Sequence, residues 1–410
     1  MAEAAAEAVA VVVAEEGADV NLGLGVGWRP ELALAIDRRR DVGFVEILAE
    51  NVDPQKPLPA SLRRLRERGV QIVVHSVGLS LGGAEPLDQR RLDRLARVAE
   101  WAGAVCVSDH VAFVRAGGRG TGHLLPVPYT EIALSVLCDN VSRARRALPV
   151  PLALENIATL FEWPGPAFDE PALLSRLTAA TGALLVLDVS NLFANARNQG
   201  FASRDWLARA PLDRIAYVHV GGGVARGGLW HDTHAHAVPL ECLALLRLLR
   251  HRMPLPGVLL ERDDRFPPEA EVNSELDAIS TAAGIGSMPA ALASPTPPPA
   301  EPRAPAAAPD RLELAAQQSR LVGALVAGEP VPAGFDARLV HAEAEMLAAK
   351  RLRAAGRAWP RHDIEGQRRV RFLAWARANP LADDGCGCDD GRRFLASLDS
   401  RTPRLRRGAA

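Results

Sequence analysis

The sequence has little net charge, few cysteines and no long apolar run, and each scarcity removes a class of function. Lysine and arginine together number 48 against 49 aspartates and glutamates, a formal net charge of -1. No global field therefore draws the chain to nucleic acid or to an anionic membrane, and neither is expected as a partner. Five cysteines, at 106, 138, 242, 386 and 388, are an odd and sparse set for 410 residues. They make no disulfide framework and fit a reducing, cytoplasmic setting. No apolar run approaches the ~18 residues that a membrane span requires. The opening MAEAAAEAVAVVVAEEG has no basic residues before its short apolar stretch, which is not the pattern of a secretory signal.

What is present is material for a large core. Hydrophobic residues make up 48% of the chain and charged residues 24%, a composition that supports folding rather than disorder. Composition shifts to alanine and proline between Gly286 and Asp310, SMPAALASPTPPPAEPRAPAAAP, an extended spacer with nothing to bury. The chain accordingly divides into an N-terminal extension (1–20), a large domain (21–286), an Ala/Pro-rich linker (287–309), a helical module (310–400) and an Arg-rich disordered tail (401–410). The helical module is expected to begin at Asp310 as an N-cap and to continue in helices near 335–356, 364–378 and 391–398.

In the large domain, short near-continuous apolar runs alternate with amphipathic segments. The runs lie at 21–27, 44–49, 71–76, 104–110, 151–156, 183–191, 215–220 and 257–263. Strands buried on both faces read this way, and intervening helices supply right-handed crossovers. Eight such units over ~250 residues predict an α/β fold, a closed (β/α)8 TIM barrel, followed by a small all-α C-terminal domain. An open doubly wound sheet is the weaker reading, because no Gly-rich phosphate fingerprint follows the first strand.

Barrel enzymes carry their chemistry at the carboxyl ends of the strands. Those positions here hold Glu46 and Glu50, His75, Asp109 and His110, Glu155 and Asn156, Asp188 and Asn191, His219, and Glu261 and Asp263. The loop after the seventh strand adds His231, Asp232, His234 and His236. A lone strand-end histidine is usually a hydrogen-bonded structural residue. Six of ten histidines at one mouth, with carboxylates on five strands, are another matter. So many carboxylates repel one another unless cations neutralise them. Mixed imidazole and carboxylate ligation suits iron, manganese or zinc, and the number of ligands exceeds the needs of one ion. Cys106 falls inside a strand and is read as core.

The segments VVHSVGLSLGG (73–83), VSDHVAF (107–113), HLLPVPYTEIAL (123–134), ALENIATL (153–160), LDVSNLFANARNQGF (187–201), HDTHAH (231–236) and LLERD (259–263) resemble the multinuclear non-haem iron-dependent oxidases, the methanobactin-oxidase-like family. The resemblance spans about 21–285. It implies that His75, His110 and Glu155 hold one iron, and that Asp188, His219 and Glu261 hold a second with Glu155 bridging. It places Asn156, Asp232 and His234 at a third position, with Asn191 where some members carry another metal-binding histidine. Asp109, His236 and Asp263 would orient ligands. The chain departs from many members at Gln199 and Gly223, where they carry histidine. By resemblance, the activity is oxidation of cysteine residues in a ribosomally synthesised precursor peptide. It uses two or three mixed-valent irons (Fe2+/Fe3+) with O2 as co-substrate.

Family members usually rely on a partner protein that recruits the peptide, and GFDARLVHAEAEMLAAKRLRAAGRAWP resembles C-terminal modules fused to the family in actinobacteria. From residue 310 onward, 18 basic side chains face 13 acidic ones, a modest excess suited to an acidic leader peptide. DDGCGCDDG (383–391), with Cys386 and Cys388, is read as a flexible acidic loop. A redox-inert divalent-metal barrel, of sugar isomerase or endonuclease type, is the competing reading of the same ligands. An endonuclease would show a basic mouth, which this sequence lacks.

Overall fold

The computed structural model of the chain describes residues 22–285, 306–356, 367–382 and 387–399. The expected N-terminal extension, most of the linker, Cys386 and the tail lie outside the described residues. Strands β1 (Gly23–Gly27), β2 (Val42–Leu48), β3 (Gln71–His75) and β4 (Cys106–His110) are followed by β5 (Ala112–Ala116), β6 (Arg119–Pro126), β7 (Leu152–Glu155) and β8 (Leu184–Asp188). Then come β9 (Ile215–Val220), β10 (Gly223–Arg226), β11 (Leu229–Asp232), β12 (Gly257–Leu260) and the short β13 (Leu381–Ala382). Eight of them close a parallel barrel in the order β1-β12-β9-β8-β7-β4-β3-β2, as the alternation of apolar runs predicts.

Around the barrel lie helices α1 (Ala33–Arg38), α2 (Ala60–Glu67), α3 (Gln89–Ala102), α4 (Glu131–Ala147), α5 (Glu170–Thr181), α6 (Val189–Gln199), α7 (Ser203–Arg209), α8 (Leu240–Arg250) and α9 (Glu269–Ala283). Outward strand residues such as Val45, Ile47, Val74, Leu154, Leu187 and Val220 pack beneath them in one apolar shell. Several helix ends are chemically specified. Asp88 and Thr130 accept from the first-turn N–H groups of α3 and α4, and glycines at 103, 182 and 284 close α3, α5 and α9 in the left-handed conformation.

The barrel interior is built in two layers. Phe44, Val73, Cys106, Ala153, Val186, Tyr217 and Leu259 form a separate buried cluster with Leu22. Side chains on a strand return to the same face every second residue. The next inward positions are therefore Glu46, His75, Ser108, Glu155, Asp188, His219 and Glu261, every one of them buried. An apolar plug thus carries a polar layer directly above it. Strand β1 contributes no bulk here, and a Cβ at Gly25 would collide with the Phe44 ring.

Two antiparallel hairpins were not foreseen. The first, β5 with β6, follows β4 after a single residue; the second, β10 with β11, follows β9. The run 183–191, read as one strand, ends at Asp188. The Asp188 side chain accepts from the Ser190 and Asn191 N–H groups and starts α6 there.

The C-terminal region forms helices α10 (Ala308–Ala327), α11 (Ala337–Gly356), α12 (Gln367–Ala378) and α13 (Gly387–Asp399). Asp310 lies in the first turn of α10 rather than capping it, which begins after Ala307. Part of the acidic stretch expected as a loop is helical from Gly387 onward, because Asp390 is buried and paired with Arg351. The region also carries one strand, β13, which adds to the free edge of β6.

Helix α10 lies against the β5–β6 hairpin and is tied by polar contacts to the loop after β3 and to α4. Gln318 is 1% exposed; its Nε2 donates to the Gly82 carbonyl and its Oε1 accepts from the Ala84 N–H, each at 2.8 Å. Arg311 donates to Asp139 and to the Ala84 carbonyl. Replacing Gln318 by leucine leaves a buried N–H and a buried C=O unpaired, a cost of about 1–3 kcal/mol per group. The Gln318→Leu chain should melt several degrees lower and be cut faster by protease between the barrel and α10. Unchanged melting and proteolysis would show that these bonds do not hold the two parts together.

Candidate metal centre

The polar layer converges on Glu155. Its Oε2 lies 3.6 Å from His75 Nε2, 3.4 Å from His110 Nε2 and 3.4 Å from His219 Nδ1. His219 Nδ1 is in turn 3.2 Å from Glu261 Oε2, and Glu261 Oε1 is 3.2 Å from His234 Nδ1. His234 Nε2 lies 2.5 Å from Asp232 Oδ2 and 3.6 Å from Asp188 Oδ2. Four overlapping groups result, each with ligand atoms within 4.8 Å of one another: His75, His110 and Glu155; Glu155, Asp188, His219 and Glu261; Asp188, Asp232 and His234; and His234, Glu261 and Asp263. The first three share Glu155 or Asp188 with a neighbour.

Beneath these groups runs a chain of hydrogen bonds whose direction is fixed by Glu46, 0% exposed. Burial pushes its carboxyl up, but His219 and His75 overcome this and hold it below the ordinary range. An ionised carboxylate only accepts. Tyr217 Oη and His219 Nε2 both donate to Glu46 Oε2 at 2.9 Å. With its one proton used, Tyr217 must accept from Ser108 Oγ at 2.8 Å, and Ser108 must then accept from His75 Nδ1 at 2.8 Å. The chain thus fixes the protons on His219 Nε2 and His75 Nδ1, and leaves His219 Nδ1 and His75 Nε2, which face Glu155, as the nitrogens open to an ion. Such an outer chain orients metal-binding histidines and raises their basicity. Glu46 is therefore a positioning residue, and Ser108 and Tyr217, which the sequence reading passed over, complete the same chain.

Other expected site residues divide in the same way. Asp109 accepts from the N–H groups of Leu79 and His110 and backs the His110 ring at 3.8 Å. Asn156 Oδ1 accepts from Asp188 N–H and its Nδ2 donates to Asp188 carbonyl, so its amide pins the β8 end instead of facing an ion. Asn191 Nδ2 donates to the Asn156 carbonyl and lies 3.5 Å from Glu155 Oε1. Asp263 pairs with Arg29 and reaches His234 Nδ1 at 3.5 Å. Glu50 braces the loop after β3 through Ser76 Oγ and Val77 N–H. His231 pairs with Val224 inside the second hairpin and belongs to none of the four groups. His236 bonds Thr233 and Arg265 instead of a ligand. Gly223, where many members carry histidine, lies under Trp230; a Cβ there would be 2.5 Å from the indole nitrogen.

His234 is held against its backbone preference. Its φ is +47, a left-handed conformation that costs a non-glycine residue ~1–2 kcal/mol. A Cβ at Gly221 would lie 2.6 Å from its ring, so glycine is required there to admit the imidazole between Asp232 and Glu261.

The electrostatics call for cations. Burial lowers the affinity of His219 for a proton, yet Glu46 and Glu155 reverse this and hold the ring well above its usual value. Asp232 and Glu261 do the same for His234 against its own burial. Burial pushes Asp232 up to about 6. Glu155 Oε2, Asp188 Oδ2 and His219 Nδ1 are buried without an aligned hydrogen-bond partner among the described residues. Uncompensated atoms of that kind are costly. Oxygen and nitrogen donors with no thiolate among them fit first-row divalent or trivalent ions. Cys106 stays out: burial pushes its thiol up to about 12.

Comparison with known proteins finds relatives of both regions of the chain. The family model described as RiPP precursor modification enzyme MbnB/TglH/ChrH matches residues 23–284, and that of the SCO6045-like C-terminal domain matches 315–400. A UPF0276 protein of Streptomyces avermitilis is 44% identical over 88% of this chain and 84% of its own length. A UPF0276 protein of Bordetella bronchiseptica is 36% identical over 64% of this chain and 93% of its own. Among solved structures, a sugar phosphate isomerase/epimerase from Parabacteroides distasonis aligns with 66% of this chain and 97% of its own, at 15% identity and a TM-score of 0.42.

Three outcomes test the centre. Tyr217→Phe cuts the chain between Ser108 and Glu46 without removing a ligand, and metal affinity measured by chelator competition should fall ~10- to 100-fold; equal affinity would remove the chain's role. Glu46 and Glu155 favour a proton on His219, and Asp232 and Glu261 one on His234; an ion takes the place of such protons, so metal loading should release on the order of one to two protons per chain, read with an indicator dye in weak buffer. The same raised values stabilise the metal-free fold fully below the ordinary imidazole range and lose that effect as pH rises through them. Its melting temperature should therefore drop on the alkaline side of neutrality.

Proposed function

Because this chain belongs to the RiPP precursor modification enzymes of the MbnB/TglH/ChrH family, we propose that it is a multinuclear non-haem iron, O2-dependent oxidase acting on cysteine residues of a ribosomally synthesised precursor peptide. One observation carries the reading. Two buried groups of imidazole and carboxylate donors meet at a single shared carboxylate, Glu155, whose inward oxygen has no aligned hydrogen-bond partner among the described residues.

In this reading His75, His110 and Glu155 would hold one iron, and Asp188, His219 and Glu261, whose group also includes Glu155, would hold the next. Asp232 and His234, sharing Asp188, offer a third position. Bound iron supplies the one-electron chemistry and the reduction of O2 that no side chain of this chain can provide, with the substrate cysteine as the reductant. The chain's own residues bind and orient. Glu46, Tyr217 and Ser108 hold the two inner imidazoles in register. Asn156 holds the Asp188 backbone in place, and the buried plug of Phe44, Tyr217 and Leu259 closes the barrel below and keeps water from that side. His110 is the last residue of its strand, so its group opens toward the mouth, where a thiolate would arrive.

We keep the division into an oxidase domain, 21–286, and a helical module, 310–400, as part of this proposal, the module serving in peptide recruitment. Among the described residues no helix is long and apolar enough to cross a membrane.

Metal analysis and electron paramagnetic resonance on protein purified without oxygen test the proposal. The expected result is about two or more irons per chain and a coupled mixed-valent signal that His110→Ala abolishes. O2 uptake should then depend on an added cysteine peptide. Stoichiometric zinc or manganese, with no iron retained after reconstitution, would sink the oxidase and favour the redox-inert barrel.

A further inference from the structure

The C-terminal region grips the loops of three neighbouring strands. Gln318 of α10 pairs with the Gly82 carbonyl and the Ala84 N–H, in the loop that follows β3. Helix α10 and strand β13 pack on the hairpin that follows β4, and α11 joins them with Lys350 Nζ 3.3 Å from His123 Nδ1. Phe335, between α10 and α11, meets Phe161 and Trp163 edge to face in the loop that follows β7, with ring centroids 5.8 and 5.0 Å apart. Strands β3, β4 and β7 are adjacent in the barrel. They end at His75, His110 and Glu155, the members of the first group of candidate ligands.

From the β3 loop, hydrogen bonds lead back to His110. Leu79 N–H donates to Asp109 Oδ2 at 3.1 Å, and Asp109 Oδ1 lies 3.8 Å from His110 Nδ1. Ser80, next in this loop, has a φ of +63. A residue other than glycine keeps that left-handed conformation only where its surroundings impose it. Val114 N–H donates to Ser80 Oγ, Arg115 to the carbonyls of Gly78 and Leu79, and Asn140 to those of Leu81 and Gly83. Gln318, buried against the same loop, adds to these a brace from outside the barrel domain.

The second grip reaches His110 from its other side. Trp163 Nε1 donates to the Pro126 carbonyl at the end of β6, and its ring lies 6.4 Å from that of Phe113 on β5. Phe335 completes this aromatic cluster, which ties the β7 loop to a hairpin that begins one residue beyond His110. Further round the barrel, the second hairpin is held by the barrel domain itself. There Asn198 of α6 exchanges two 2.8 Å bonds with the Trp230 backbone. A side-chain amide matched to one N–H and one C=O thus braces both regions, and beside the first group it comes from the C-terminal region.

We propose that the C-terminal region positions His110: Gln318 and Phe335, acting through the β3 loop and the β5–β6 hairpin, set how firmly the first group holds its ion. The inference rests on the reading of that group as an iron site. A ligand free to move must be ordered before it binds, and the entropy of ordering is lost from affinity. A strand end clamped on both sides avoids that loss. Both are positioning residues, since neither belongs to the group.

The test titrates the metal-free full chain with Fe2+ in the absence of oxygen, by calorimetry below the melting temperature of every variant. His110→Ala identifies the binding step that belongs to the first group. Gln318→Leu and Phe335→Ala act on different loops, so one serves if the other does not fold. Each should weaken that step ~3- to 10-fold, and Phe335→Tyr, which keeps the ring, should restore it. In the His110→Ala chain neither substitution should weaken the steps that remain, a selectivity that general loss of structure does not produce. Weakening of those remaining steps, or failure of either folded variant to weaken the identified step, overturns the inference and leaves the oxidase standing. An unaltered chain that binds no iron removes the oxidase reading and the inference together.

Discussion

Glu46 sits at the bottom of the polar layer with no exposure to solvent and accepts from Tyr217 and His219. Because a carboxylate cannot donate, it sets the polarity of every bond from His219 through Tyr217 and Ser108 to His75. Two imidazoles thereby turn toward Glu155 the ring nitrogen that the chain does not use. A neutral residue at 46 would leave the chain free to run either way, and the histidines could then present N–H groups where lone pairs are required. One buried charge thus prepares the whole ligand set, at a desolvation cost met by the hydrogen bonds it receives.

That arrangement depends on the barrel's period of two. The plug residues Phe44, Val73, Ala153, Val186, Tyr217 and Leu259 each precede a polar-layer residue by two positions, so closure of the sheet gathers the polar residues on the carboxyl-terminal side of the plug. The apolar layer supplies the low-dielectric floor that strengthens the charge interactions above it. Fold and site are in this sense one construction: the residues that stabilise the barrel interior also fix the level at which the ligands stand.

Much of this was legible from the amino-acid order. Eight apolar runs gave the eight barrel strands, and the polar residue ending most of them falls in the four groups of side chains that the fold gathers. Tyr217 and Ser108 were equally accessible to the two-residue alternation but were passed over, because neither is a metal-binding residue type. The segment HDTHAH misled in part. Read as a loop, it offered four candidates; folded as a hairpin edge and a tight turn, it brings Asp232 and His234 inward and leaves His231 and His236 aside. Asn156 and Asn191 match the expected region, but their amides are taken up by the backbone, a commitment that depends on the β8–α6 junction and that no spacing reveals. The approach of Lys350 to His123 joins residues 227 apart in sequence; local pattern carries no trace of such a contact.

The sharing of carboxylates has a consequence for how the centre fills. Glu155 belongs to two groups, Asp188 to two, and Glu261 and His234 to two each. In the proposed reading, an ion entering one group neutralises a carboxylate that the next group also uses and fixes the orientation of its oxygens. Filling is therefore coupled, with each ion changing the field at its neighbour. The groups are not equal in this. His75, His110 and Glu155 stand on regular strands and are buried, whereas His234 keeps a left-handed backbone and Asp263 is 39% exposed in its side chain. Strain and solvent both weaken a site, the first by a fixed conformational cost and the second by screening its charges. The inner pair of groups should hold ions most firmly, and the group around His234 is the one that an arriving substrate can rearrange at least cost.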